Sequence, residues 1–180
     1  MSEPPPGPVL VTERLELWRP VASDHAGLLA LLEPEAVRRF LGPAQPTPED
    51  AFARLLRNAG SWALYGYGVF VVRERERAEV VASCGVFHSW RGFGTGLDNV
   101  PEAGWIIAAS HWGKGFASEA MSAALAWFDA TQGARRTVCM IEDGHTASQT
   151  VAARLGFTEY GRHQPAEGRE LALYERLSPP

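Results

Sequence analysis

The stretch from Glu102 to Glu142 constrains this chain more than any other. Glu102–Ala108 (EAGWIIA) reads as a strand, Ser110-His111-Trp112-Gly113-Lys114-Gly115 as a glycine-containing turn, and Ala117–Ala130 as a helix. Ala120, Met121, Ala124, Leu125 and Phe128 recur at the spacing of one helical face, so that face should be buried. Gly133 closes the helix, and Thr137–Glu142 reads as the next strand. A strand–helix–strand unit of this kind should bring its two strands parallel, with a right-handed crossover.

The remaining segments supply strands around that unit. Arg14–Arg19, Gly68–Arg73, Glu79–Trp90, Phe157–Arg162 and Arg169–Leu177 read as strands. Helices are expected from Ser23 or Asp24 through Leu32, over Glu35–Leu41 to the break at Gly42-Pro43, and over Ala147–Leu155 with Gly156 closing it. Another starts at Thr47-Pro48-Glu49-Asp50, a cap followed by proline and two acids, and should run to Asn58, with Gly60 ending it. Glu74–Arg77 reads as a solvated hairpin tip, and the glycine-rich Arg91–Val100 as a mobile loop touching substrate. This order specifies an α/β (α+β) three-layer domain, with a mixed central sheet of about seven strands flanked by helices. At 180 residues one domain is expected, over residues 10–177, behind a disordered tail at residues 1–9 carrying Pro4, Pro5, Pro6 and Pro8.

Composition removes several classes of function. A formal charge of −4 argues against a nucleic-acid partner, which would require a clustered basic face. Cys84 and Cys139 lie far apart in apolar runs and read as buried thiols, and no Cys/His spacing suits zinc, so no metal is expected. The N-terminus lacks a basic segment followed by an apolar core, and no run approaches the ~18 apolar residues of a membrane span. The expected setting is cytoplasmic, with no membrane partner.

Trp112–Ala117 is the first chemical candidate. Glycines let backbone N–H groups approach a ligand, and the first helical turn leaves such donors unsatisfied at the positive end of the dipole. That combination suits a pyrophosphate, with Lys114 adding a point charge. An ordinary tight turn has the same glycines, and they alone do not choose between the two. Neither the Walker spacing nor a complete dinucleotide fingerprint is present.

Three stretches taken together carry a resemblance. EAGWIIAASHWGKGFASEAMSAAL is similar to the cofactor motif of GNAT acetyltransferases, and IEDGHTASQTVAARLGF resembles the second signature of one GNAT branch. That branch includes the ribosomal-protein N-terminal alanine acetyltransferases, and the opening VTERLELWRP is similar to its first strand. The resemblance spans nearly the whole chain. It implies that the backbone of Trp105–Ile106–Ile107 pairs with the pantetheine arm of acetyl-CoA. Trp112, Gly113, Lys114, Gly115, Phe116 and Ala117 would wrap its pyrophosphate, and an amine would attack the thioester directly.

Site residues follow residue by residue. Ser148 matches the family serine and would protonate the leaving thiolate, whereas a serine near a helix start is otherwise a cap. Glu102 leads into the cofactor strand and would deprotonate the amine; the alternative is a bystander acid at a strand end. His145 stands where the family has Asn, and its ring nitrogens can substitute in contacting the cofactor. Ala152 stands where many members carry a tyrosine. Glu119 reads as a first-turn acid favoured by the helix dipole. The function implied is acetyl transfer from acetyl-CoA to a primary amine, either a protein N-terminus or a small molecule. The alternative is a non-catalytic acyl-CoA-binding module on the same fold. Relatives are commonly homodimers, and the sequence leaves monomer or homodimer open.

Overall fold

Eight strands form one sheet in the order β1-β2-β3-β4-β5-β6-β8-β7 in the computed structural model, which describes residues 7–41, 46–133 and 135–177. The strands are β1 (Leu10–Val11), β2 (Leu15–Trp18), β3 (Val69–Glu74), β4 (Val80–Trp90), β5 (Asp98–Ile107), β6 (Arg136–Glu142), β7 (Thr158–His163) and β8 (Leu171–Leu177). The helices are α1 (His25–Leu32), α2 (Glu35–Arg38), α3 (Pro48–Tyr65), α4 (Phe116–Gln132) and α5 (Thr146–Arg154). The strand beyond the expected seven is β1, two residues paired antiparallel to β2, too short to show an alternating pattern. Neighbouring strands are antiparallel except β5 and β6, which run parallel as the strand–helix–strand unit requires. Most of the expected tail and the Gly42-Pro43 break lie outside the described residues. Val9 is already bonded to the Leu17 carbonyl at 2.8 Å.

Alternation along each strand divides the core into two layers. Leu15, Leu17, Phe70, Val72, Cys84, Val86 and Ala103 meet Phe116, Ala120, Met121, Ala124 and Phe128 of α4, with Ala152 of α5 in the same cluster. Leu28 of α1 and Leu55 of α3 pack on Val71 from the opposite face. Over β6 and β8 that opposite face has a loop rather than a helix: Leu97 is fully buried against Val138 and Leu173.

Two segments differ from expectation for identifiable reasons. α3 passes through Gly60 and ends at Gly66, whose φ of 77° forms a left-handed cap. A mid-helix glycine costs only about 1 kcal/mol. Ser61 bonding the Tyr67 carbonyl (2.8 Å) and buried Trp62 bonding that of Val69 (3.0 Å) outweigh it. The glycine-rich segment is tied down rather than mobile. Asp98 accepts the N–H groups of Arg91, Gly92 and Gly94 at 2.9, 2.6 and 2.8 Å. Tyr160 and Arg136 hold the carbonyls of Thr95 and Gly96, and His163 stacks on Phe93 at 4.0 Å.

Candidate functional site

The site begins where the sheet comes apart. β5 pairs with β4 along Asp98–Ile107, and the Ala108 N–H continues that ladder to the Val81 carbonyl at 2.8 Å. Antiparallel bonding alternates, so the backbone groups of Gly104 and Ile106 turn to β4, and those of Trp105 and Ile107 turn to β6. Yet β5 and β6 meet at a single register, Glu102 opposite Val138, while β6 stays paired with β8 from Arg136 to Glu142. Beyond Glu102 the two strands diverge and leave a notch. Trp112 Nε1 takes the Ile107 carbonyl at 2.9 Å. The Trp105 N–H and C=O and the Ile107 N–H therefore face the notch with no strand opposite them. Ile106, expected to offer its backbone, has that backbone committed to β4 and presents only a half-buried side chain.

The turn Trp112–Ala117 delivers the chain into α4. Gly113 and Gly115 have φ of 73° and 79°, a region open to glycine and strained for other residues. A side-chain carbon at Gly113 would meet nothing within 4 Å, and one at Gly115 only Arg14 Nη2 at 3.6 Å, so the cradle is clear. Gly115 caps α4 without a side-chain acceptor, leaving the first-turn N–H groups of a 17-residue helix free to bind an anion. Lys114 is exposed beside them, Trp112 is half exposed, and Phe116 is buried beneath. Glu119 does more than suit the dipole. It accepts from Thr12 Oγ1 (2.6 Å), Arg14 N (3.0 Å) and Arg14 Nε (2.7 Å), while Arg14 Nη1 holds the Lys114 carbonyl at 2.8 Å. The turn before β2 thus clamps the start of α4. Arg14 lies inside the quoted VTERLELWRP, but nothing in that string reveals its partner.

Ser148 is the third residue of α5, and its hydroxyl caps no backbone group there. Trp105 Nε1 donates to Ser148 Oγ at 3.3 Å, and Oγ lies 3.0 Å from His145 Nε2. The His145 ring stacks on Phe40 at 4.1 Å, a neighbour without any sequence signal. Burial lowers the His145 pKa, which keeps the ring neutral at pH 7 and able to accept from Ser148. Trp105, Ser148 and His145 therefore form one hydrogen-bonded chain at the side of the notch. Ala152 is fully buried in the core and supplies no hydroxyl.

Glu102 sits at the base of the notch, 3% exposed, in a two-pronged ion pair with Arg91: Nε to Oε2 at 2.8 Å and Nη2 to Oε1 at 2.5 Å. Each carboxylate oxygen keeps a second lone pair for a water or an amine. Arg91 is the first residue of the glycine-rich segment, and nothing in the sequence points to Glu102 as its partner. The thiols are inert: burial pushes Cys84 up to about 12 and raises Cys139 as well. His88 stacks on Tyr65 at 3.9 Å and lies 2.9 Å from the Tyr67 hydroxyl, away from this chain of groups. Among the described residues no His, Cys, Asp or Glu cluster suits a metal ion. Among the described residues no helix is long and apolar enough to cross a membrane.

A family model for the acetyltransferase (GNAT) domain matches residues 14–158. The chain belongs to the GNAT acetyltransferase family. Among solved structures it is similar to a putative GNAT-family acetyltransferase from Bordetella pertussis, with 34% identity, 93% of this chain and 98% of that one covered, and a TM-score of 0.83. It shares its fold with the ribosomal L7/L12 α-N-protein acetyltransferase RimL in complex with coenzyme A, at 19% identity over 94% of this chain and 97% of that one, TM-score 0.75. The uncharacterized protein YkkB of Bacillus subtilis (strain 168) is 26% identical over 173 residues, 94% of this chain and 95% of its own length. GNAT membership makes the chain an acetyltransferase.

Proposed function

We propose that residues 10–177 act as one unit that transfers an acetyl group from acetyl-CoA to a primary amine, without an acyl-enzyme. The observation carrying this reading is the lone β5–β6 bridge, which leaves a strand edge open beside the glycine turn and the Trp105–Ser148–His145 chain. The open cradle at Gly113 and Gly115 fits a pyrophosphate, and the edge groups of Trp105 and Ile107 fit a pantetheine amide. When bound there, acetyl-CoA supplies the activated acetyl group.

The residues then divide the work. Trp105 and Ile107 orient the thioester, and an N–H on that edge polarises its carbonyl. Holding an amine against that carbonyl removes much of the entropic barrier. The amine nitrogen forms the new bond to the acetyl carbon as the carbon–sulfur bond breaks. Ser148 donates its hydroxyl proton to the departing thiolate, and the second proton shed by the nitrogen as the amide forms returns to the serine through water, with His145 Nε2 orienting the hydroxyl. Glu102 receives the ammonium proton through a water. The supporting facts are the 3.0 Å Ser148–His145 contact and the burial of Glu102 beneath the notch.

The acceptor, either a protein N-terminus or a small amine, is best identified by screening peptides and small amines with mass detection of the acetylated product. Stoichiometric coenzyme A release with product supports the reading. Tight acetyl-CoA binding without turnover on any amine selects the non-catalytic module instead.

A further inference from the structure

The α3 side of the sheet beside Glu102 carries more arginine charge than its carboxylates offset. Glu102, Gly104 and Ile106 point to the same sheet face as α1 and α3, because their neighbour Ala103 packs toward α4. On that face Arg91 lies over the Phe87 ring, 5.8 Å from its centroid, and its whole charge is matched by Glu102. On α3, Arg54, Arg57 and Ser61 fall at i, i+3 and i+7, one strip of the helix. Ser61 fixes how that strip faces, because its Oγ accepts the His88 N–H of β4 at 3.1 Å. Among the described residues the half-buried Arg54 has no hydrogen-bond or ion-pair partner. Its environment makes the charge uncomfortable: burial first, then Arg57 and Arg91, lower its pKa from the usual arginine value. The one carboxylate acting in its favour, Asp50, is engaged in capping α3, accepting from Thr47 N at 2.9 Å and Thr47 Oγ1 at 3.0 Å.

A partly desolvated guanidinium without a counter-ion is costly unless an anion arrives. We infer that Arg54, with Arg57 beside it, binds an anionic group on the acceptor, so the preferred substrate is an amine with a carboxylate or phosphate nearby. This rests on the acetyl-transfer reading and specifies its acceptor. The planar fork of arginine suits both anions through paired hydrogen bonds. Neutral Ser148 and His145 lie on the α4 side of the sheet, so leaving-group chemistry and acceptor recognition come from opposite faces.

The test compares matched acceptors: β-alanine with its amide, O-phosphoethanolamine with ethanolamine, and a peptide carrying Glu beside its N-terminus with its Gln counterpart. For the wild type, kcat/KM should favour the anionic member of at least one pair by about 10–100-fold, the scale of a hydrogen bond to a charged group. Arg54→Gln should reduce that ratio at least tenfold while leaving acetyl-CoA KM and the rate with the neutral member unchanged. Arg54→Lys should restore part of it. Should Arg54→Gln melt early, Arg57→Gln on the exposed turn gives the same comparison, with a smaller drop expected. An anionic-to-neutral ratio near one in the wild type, or one unchanged in both variants, overturns the inference while leaving acetyl transfer intact. No coenzyme A release with any acceptor overturns both.

Discussion

Replacing Gly115 with valine separates a ligand cradle from an ordinary turn, and the molecule contains its own control. Gly115 has φ 79° and ψ 6° at the start of α4, and Gly66 has φ 77° and ψ 4° at the end of α3. The backbone penalty for a side chain is therefore nearly equal at the two, about 1–2 kcal/mol for the left-handed region. Neither site is crowded: the nearest atom to an added carbon is Arg14 Nη2 at 3.6 Å in one case and Gln132 Nε2 at 3.9 Å in the other. For a domain of this size each kilocalorie lowers Tm by about 2–4 °C, so both variants should melt about 2–8 °C early and still fold. Their ligand affinities should diverge. At Gly115 the valine displaces N–H groups that would meet a phosphate, each such bond being worth about 1.5–3 kcal/mol. Gly115→Val should therefore weaken acetyl-CoA by about 10–100-fold or more, and Gly66→Val hardly at all. Thermal melts and calorimetric titration of acetyl-CoA give both numbers. Equal affinities in the two variants would refute the cradle.

Other outcomes follow from the same geometry. Ser148→Ala should lower kcat by about 10²-fold while acetyl-CoA Kd holds; a loss confined to Tm makes the serine structural. Burial depresses the His145 pKa in the fold, so the unfolded chain takes up the proton first. Stability should be steady above the ordinary histidine value of about 6.5 and fall as pH drops below it. His145→Asn should flatten that acid limb of Tm against pH, and an unchanged limb refutes the assignment. Glu102→Gln should reduce kcat/KM most at low pH, where free amine is scarce, and least at high pH; curves parallel to wild type would falsify its role as base.

Local pattern made the sheet, α4 and the parallel β5–β6 pair legible, because their signals are periodic and contiguous. The end of α3 was not legible: Gly60 is a local stop signal, and the groups overriding it, Ser61 on Tyr67 and Trp62 on Val69, are tertiary bonds. The glycine-rich segment misled for the same reason. Asp98 reads as one more loop acid until the chain curls around it and offers it three N–H groups. In the site, Gly113, Gly115 and Ser148 could be located because strand, turn and helix are sequence neighbours or match a family string. Arg91, Arg14 and Phe40 could not: Arg14 meets Glu119 across 105 residues, and Phe40 reaches His145 from a segment with no motif.

The notch follows from how the strands divide their loyalties. β5 spends its length on β4 through nine registered pairs, and β6 spends its own on β8 through seven, so among the described residues a single backbone bridge joins the ladders of the two half-sheets. Each half can then follow its own twist, and the halves splay from Glu102 onward. Closing the gap with side chains would leave the Trp105 N–H and C=O buried and unpaired, a burden comparable to lost hydrogen bonds. Leaving it open exposes a short edge that behaves like any unpaired strand, ready to accept an extended partner with amide groups. On the proposed reading a pantetheine arm would be such a partner, and the free N–H groups of α4, at one end of the edge, would receive its phosphates. Ion-paired Glu102 marks the other end. On that same reading, the length of the edge, from the Glu102 bridge to the Trp112 bond on Ile107, would set how far the thioester carbonyl lies from the pyrophosphate.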